Sequence, residues 1–427
     1  MEWIELIGMG LVVVLFLTGS PLAIAFSVGS IVVLTGAMGF PIPNVAQLFF
    51  SSINSYSLLA MPFFILAGNL LLRSGGMVPL RDFMAAMVGH WPGGMAVATI
   101  IFAAFLGSIS GSAAACLAII GTVMVPILVK SGYDRPFSSG IAVTAAELGM
   151  LIPPSLFFII FGAFNRVSIA DLFMGGIGPG VLSAFLMCLV AVFISRRRKY
   201  QLSPKASLQV RWQTTVRVIP ILLMPVIVLG GIYSGIFSPT QAASISVLYT
   251  LIIGFFIYRK LTVSDLTDSL VSTVRLSSMI YLMYIGGDLF GKTLGYIGLP
   301  QLISEWVISL ELEAISFLIV VELLLLVMGF FFSSIPMVVI VLPLFLPAAM
   351  ELGIDPVFYG VLSIFCSLIG EITPPMGPQL WIAAPICNER MGAIAREAWP
   401  FLGAQVVALF LTTAFPQIAM YLVDLMR

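Results

Sequence analysis

An all-α, polytopic membrane protein made of two repeats of opposite orientation is the fold class this sequence predicts, and three observations predict it. Hydrophobic residues make up 60% of the chain against 9% charged, too few charges to cover the surface of a water-soluble fold. Apolar runs long enough for a hydrocarbon core of about 30 Å recur from Leu6 to the carboxyl end. The chain also matches itself: a shift of 221 residues brings Pro126 onto Pro347, Gly132 onto Gly353, Asp134 onto Asp355, Gly149 onto Gly370, and Pro153-Pro154 onto Pro374-Pro375.

The first repeat, residues 1–200, opens with apolar runs at 6–18 and 22–40. The earlier one has no basic leader and no small-residue cleavage site, so it reads as a retained helix. An amphipathic segment at 45–56 reads as an arm lying along the membrane plane, and 58–72 as the next span. The stretch 94–129 is apolar with a polar break near its middle; at about 36 residues, roughly 54 Å as helix, it falls short of two crossings and reads as a hairpin entering and leaving by one face. A spanning run at 138–163, broken by Pro153-Pro154, and another at 172–195 complete the repeat.

A basic loop, 201–217, leads into the second repeat, 218–427. There the spans are 218–233 and 242–258, an arm at 264–274, a span at 276–297, a hairpin at 314–350, a proline-broken run at 358–386 and a last span at 398–425. The total is about ten transmembrane helices plus two re-entrant hairpins. Arg196, Arg197, Arg198, Lys199, Lys205, Arg211 and Arg217 mark the central loop as cytoplasmic. Counting outward puts both termini on the other side and runs the two halves in opposite senses, the pattern of secondary transporters.

Composition narrows the chemistry. The net charge is zero, which gives nucleic acid no footing, and His90 is the only histidine. The four cysteines, Cys116, Cys188, Cys366 and Cys387, show no metal-ligand spacing. The polar groups that remain at membrane depth are of three kinds. "GSISGSAAA" at 107–115 exposes backbone and hydroxyls where lipid offers no hydrogen bonds, and Ser333 with Ser334 repeats that break. The two Pro-Pro pairs each remove two amide donors and free carbonyl oxygens that suit a hard cation, while the helix that follows offers its amino terminus to an anion. Glu147, Asp288, Glu322 and Glu371 are intramembrane acids, of which Glu147 and Glu371 flank the proline breaks.

Several longer strings carry a resemblance: "GSISGSAAA" itself, "KSGYDRPFSSGIAVTAAELGMLIPPS" at 130–155, "LFMGGIGPG" at 172–180, "GGIYSGIFSPTQAA" at 230–243, and "GIDPVFYGVL" with "ITPPMGPQLWIAA" within 353–384. Over essentially the whole chain the sequence resembles the large membrane subunit of tripartite ATP-independent periplasmic (TRAP) transporters, in the form that is separate from the small subunit. The resemblance implies an elevator-type fold of the ion transporter superfamily, a multi-pass protein of the bacterial inner membrane and not an enzyme. It implies sodium-coupled import of an organic acid, a C4-dicarboxylate or a sugar acid such as sialic acid. The partners it implies are a small four-helix membrane subunit and a periplasmic solute-binding protein.

The sites carry over with it. Sodium is expected at Ser108, Ser110, Gly111, Ser112, Pro153 and Ser155 in the first half, and at Ser333, Ser334, Gly370, Thr373, Pro374 and Met376 in the second. Substrate is expected at Ser110, Ser112, Glu147, Pro154, Ser155, Ser334 and Pro375. The sequence departs from the family pattern at Ser333, where an acid is usual, at Gln241, where a glutamate is usual, and at Glu371, where an apolar residue is usual. Two other functions compete: a sodium-coupled anion carrier needing no binding protein, and an intramembrane enzyme, which the lone histidine disfavours.

Overall fold

The computed structural model describes residues 3–110, 112–200 and 204–427, with 108–110 described as backbone alone. Among these residues all regular structure is helical. The first repeat forms α1 (Trp3–Leu17), α2 (Leu22–Ala37), α3 (Ile42–Ile53), α4 (Ala60–Arg73), α5 (Met77–Val88), α6 (Gly94–Ser110), α7 (Ala113–Lys130), α8 (Arg135–Leu151), α9 (Leu156–Asn165) and α10 (Ile169–Arg198). The second forms α11 (Leu208–Tyr233), α12 (Pro239–Ile257), α13 (Val263–Ile297), α14 (Leu299–Ser309), α15 (Ala314–Gly329), α16 (Ser334–Glu351), α17 (Pro356–Ile372), α18 (Pro378–Cys387), α19 (Met391–Ala414) and α20 (Gln417–Met426). Among the described residues nine helical stretches are long and apolar enough to cross a membrane, one of them α8 and α9 taken together, and two of them, α7 and α16, are the second legs of the hairpins.

The internal match of the sequence is a match of structure. Helix α8 begins after Asp134 and α17 after Asp355, each with proline in its first turn, where the missing amide costs nothing. Both runs end at a Pro-Pro pair, and both Pro-Pro bonds are cis. Helices α2 and α12 each finish in a π-helical turn, Val33–Ala37 and Ile253–Ile257. Helix α9 is capped by Arg166 in the left-handed region and α18 by Asn388, again at corresponding places.

Three expectations are corrected. The arm at 264–274 is no separate segment, because α13 runs unbroken from Val263 to Ile297. No glycine or proline stands between Val263 and Leu276, whereas in the first repeat Asn54 leaves helical geometry and separates α3 from α4. The span at 398–425 is two helices: Pro416 forces Phe415 into extended geometry (φ −125°, ψ 81°) and ends α19 there. Helices α5 and α14 were not foreseen; with Arg81, Asp82, Gln301 and Glu305 on short segments they lack the apolar length that marks a span.

The core lies on α8 and α17, which are buried from Phe137 to Leu151 and from Val357 to Ile372 and pack against each other. Hairpin leg α6 crosses α8, and leg α15 crosses α17. Each crossing is backbone on backbone: a Cβ at Gly107 would lie 2.3 Å from Gly149 Cα, and one at Gly329 would lie 2.5 Å from Gly370 Cα. The second halves of the broken helices cross over between repeats, α9 packing on α16 and α18 on α7. Around this body, α10, α11, α13 and α19 turn Phe185, Phe193, Val226, Met279 and Phe410 outward, the surface expected of a protein whose solvent is lipid.

Candidate functional site

The polar breaks become helix starts. Ser112 is the N-cap of α7, its Oγ accepting from Ala115 N at 3.3 Å, and Ser333 is the N-cap of α16. Past the prolines, Ser155 caps α9 and Gly377 caps α18. A chain interrupted by prolines or by a run of serine and glycine resumes its helix with the first amides unpaired by the helix itself. The structure therefore holds four new amino termini inside the protein, two from each repeat.

These four starts border one cavity of about 160 Å³. Ser112, Ala113 and Ala114 come from the start of α7, Leu156, Phe157 and Ile160 from α9, Ser333 and Ile335 from the start of α16, and Gln379 from α18. Glu371 from the end of α17 and Leu276 and Ile280 from α13 complete the wall. Both hairpin tips reach the same space, so the two halves contribute to one shared site.

Polar partners inside the cavity are few. The Ser334 amide donates to Oε1 of Glu371, and Gln379 Nε2 donates to Oε2 at 3.2 Å. The second bond orients Gln379, whose Oε1 is buried without a partner among the described residues. Ser155, 1% exposed beside the cavity wall, likewise buries an Oγ that has no partner. No lysine or arginine is among the described lining residues.

The expected site residues divide accordingly. Ser112 and Ser333 line the cavity, and Ser334 stands at its edge through its bond to Glu371. Pro153, Pro154 and Ser155 are buried immediately before α9. The carbonyl of Gly370 accepts from Thr373 N at 3.0 Å, Thr373 Oγ1 donates to Ile369 O at 2.7 Å, Pro374 is half-buried, and Pro375 and Met376 are exposed. Gly111 lies outside the described residues, and the side chains of Ser108 and Ser110 do also. Glu147 is not part of this cavity; it borders a smaller space with Gln405, Leu151 and Phe365, and both of its oxygens lack partners.

The other acids are structural. Asp288 pairs with Lys292 at 2.6 Å and accepts from Ser52 Oγ on α3. Glu322 Oε1 accepts from Thr413 Oγ1 at 2.6 Å. Gln241 completes a capping box at the start of α12, its Oε1 accepting from Ser238 N at 2.8 Å, a role that glutamate fills equally well. Sequence reasoning singled out Glu371 beside its proline break without counting it among the sodium or substrate residues, and it passed over Gln379. Their signal was an acid beside a proline break, with a glutamine eight residues on at the far side of the break, in a stretch otherwise apolar.

Known proteins resemble this chain in sequence and in fold. The large permease protein DctM of the C4-dicarboxylate TRAP transporter of Rhodobacter capsulatus is 34% identical, over 99% of each chain. The large permease protein SiaM of the sialic acid TRAP transporter of Vibrio cholerae is 32% identical, over 96% of each. Among solved structures the YdaH transporter of Alcanivorax borkumensis superposes with a TM-score of 0.62 over 91% of each chain, at 14% identity, which is a likeness of fold. Residues 9–418 match the family described as "Tripartite ATP-independent periplasmic transporter, DctM component". With two inverted halves closing on one cavity and relatives aligned from end to end, the chain belongs to the DctM component family of TRAP transporters, as a large permease subunit and not an enzyme.

Proposed function

We propose that this chain is the sodium-driven translocation unit of an importer in a bacterial inner membrane. It takes an organic acid from a periplasmic solute-binding protein and works alongside a small four-helix membrane subunit. The observation that carries the reading is the single cavity bounded by both hairpin tips and by the helix starts beyond both proline breaks. Helix amino termini attract a carboxylate, and unpartnered oxygens such as Ser155 Oγ suit a hard alkali cation. Sodium, carried as co-substrate, also supplies positive charge that the lining lacks.

An elevator motion accounts for the architecture. Helices α6–α9 and α15–α18 form a body joined by glycine-to-glycine crossings, with the cavity at its edge against α13. A body so tightly joined moves as a unit more readily than it deforms. Its excursion past α13 would carry cavity, sodium and solute together, as alternating access requires. The two relatives described above are named for a dicarboxylate and for sialic acid at nearly equal identity, so similarity alone does not choose between these solutes.

Reconstitution into proteoliposomes tests the proposal. Uptake is expected only with an inward sodium gradient, the small subunit and the solute-loaded binding protein together. Uptake of free solute by this chain alone would overturn it in favour of a self-sufficient anion carrier. Uptake indifferent to sodium would remove the coupling.

A further inference from the structure

The two halves of the cavity do not carry the same chemistry. Where the second repeat places Glu371 and Gln379, the first, at the same spacing, places Met150 and Phe158. Among the described lining residues the carboxyl and amide acceptors, Glu371 and Gln379, both lie on the second-repeat side. The carboxyl group of Glu371 is 3% exposed and accepts on both oxygens. Gln379, 8% exposed, adds an Oε1 that has no donor to meet it. Two converging acceptors in a buried space call for a donor that carries positive charge.

The first-repeat side has the opposite character. Ala113 and Ala114 open α7, and Leu156 and Phe157 open α9, so two amino termini with apolar side chains face the cavity. On the second-repeat side the amino terminus of α16 is already taken by the Glu371 carboxylate through the Ser334 amide, and that of α18 carries Gln379 in its first turn. An internal carboxylate thus occupies a place that a second carboxylate of a dianion would need, and repels it. At about 160 Å³ the cavity is also smaller than the ~300–1,000 Å³ typical of pockets for drug-sized ligands.

We propose that the solute is a compact zwitterion, its carboxylate received at the amino termini of α7 and α9 and its ammonium or amidinium group held by Glu371 and Gln379. This rests on the transport reading above and narrows it, making the first repeat the anion side and the second the cation side. A dianion loses in two ways, by repulsion from Glu371 and by leaving Gln379 Oε1 without a donor. Glu371 is then the residue that sets the solute class.

The test is ligand-induced thermal stabilisation of the full chain in nanodiscs, titrated in sodium chloride and, as control, in choline chloride. The probes are β-alanine, 4-aminobutyrate and 3-guanidinopropionate as zwitterions, with succinate as dianion and propionate as monoanion. Saturable stabilisation by at least one zwitterion, stronger than by succinate or propionate, is expected. Glu371→Gln should weaken zwitterion binding by about thirtyfold or more, the loss expected when one partner of a desolvated charge pair is removed. Gln379→Leu, which keeps the carboxylate, should weaken it in the same direction and covers the case in which Glu371→Gln does not fold.

Succinate or propionate binding as tightly as the zwitterions would overturn the proposal. So would the absence of saturable binding by any zwitterion at tens of millimolar. A Glu371→Gln variant with unchanged solute affinity and a displaced sodium midpoint would overturn it too, by making Glu371 a sodium ligand. Stabilisation of the wild type by sodium alone is read in the same titration. Its absence would remove sodium coupling while leaving the zwitterion preference to be judged on its own curves.

Discussion

Asp288 and Ser155 show how differently two polar residues at membrane depth are treated. Asp288 is bound by Lys292 one helical turn away and by Ser52 of α3. At the corresponding place of the other half, Asn69 Nδ2 donates to Thr273 Oγ1 at 3.0 Å. Each bond joins a helix of the first repeat, α3 or α4, to α13 of the second, so the pair fastens the two halves. Ser155 Oγ is buried with no partner among the described residues. Asp288→Asn is expected to cost about 1–2 kcal/mol, the partly screened price of an unpaired ammonium, with little change in the sodium concentration giving half-maximal uptake. Ser155→Ala is expected to leave thermal stability equal or slightly higher and to raise that sodium concentration. Melting curves beside sodium activation curves separate the two; a sodium midpoint unmoved in Ser155→Ala would make that hydroxyl a bystander.

Among the elements, the hairpin crossings carry the most demanding packing. Gly107 on Gly149 and Gly329 on Gly370 let α6 and α15 approach α8 and α17 at backbone distance. A methyl group there meets main chain, which has no rotamer to yield. Gly329→Ala is expected to destabilise the protein by about 1–3 kcal/mol and to impair transport, because the tip at Ser333 would be displaced from the cavity. Gly403→Ala on α19 is the control. Nothing lies within 4 Å of its added methyl, so stability should hold or rise slightly. Equal tolerance of both substitutions in thermal melts would mean that the crossings have room to spare.

At the scale of the whole molecule, ionic clusters tie each central helix to the chain that follows it. Arg198 bridges Glu397 at 2.8 Å and Asp134 at 3.5 Å, while Arg427 bridges Asp355 at 2.8 Å and Asp171 at 3.2 Å. Asp134 and Asp355 occupy the same place in the two repeats. Opposite orientation of the halves puts the clusters on opposite faces of the membrane. Under the positive-inside rule the basic residues around Arg198 predict a cytoplasmic position for its face. Lys205→Cys, in a cysteine-free background, is therefore expected to react with an impermeant maleimide only after the membrane is opened. Labelling from the outside of intact cells would reverse the whole topology.

What the sequence by itself determined are properties that act locally or add up along the chain. Mean hydropathy declared the membrane, a consecutive pair of prolines declared each break, and the shift of 221 residues declared the repeat. None of these depends on what packs against what. A separate arm at 264–274 was expected where α13 runs on unbroken, because amphipathicity marks a change of surroundings, which a continuous helix can pass through without bending. Only the tertiary structure decided what each intramembrane acid does. Glu371 faces the cavity, while Asp288 and Glu322 are bonded to residues far away in sequence, Ser52 and Thr413. The reason is geometric: the bearing of a helical side chain is set by the rotation of its helix against neighbours from the other half. That rotation is fixed by crossings such as Gly329 on Gly370, and no spacing along the chain records it.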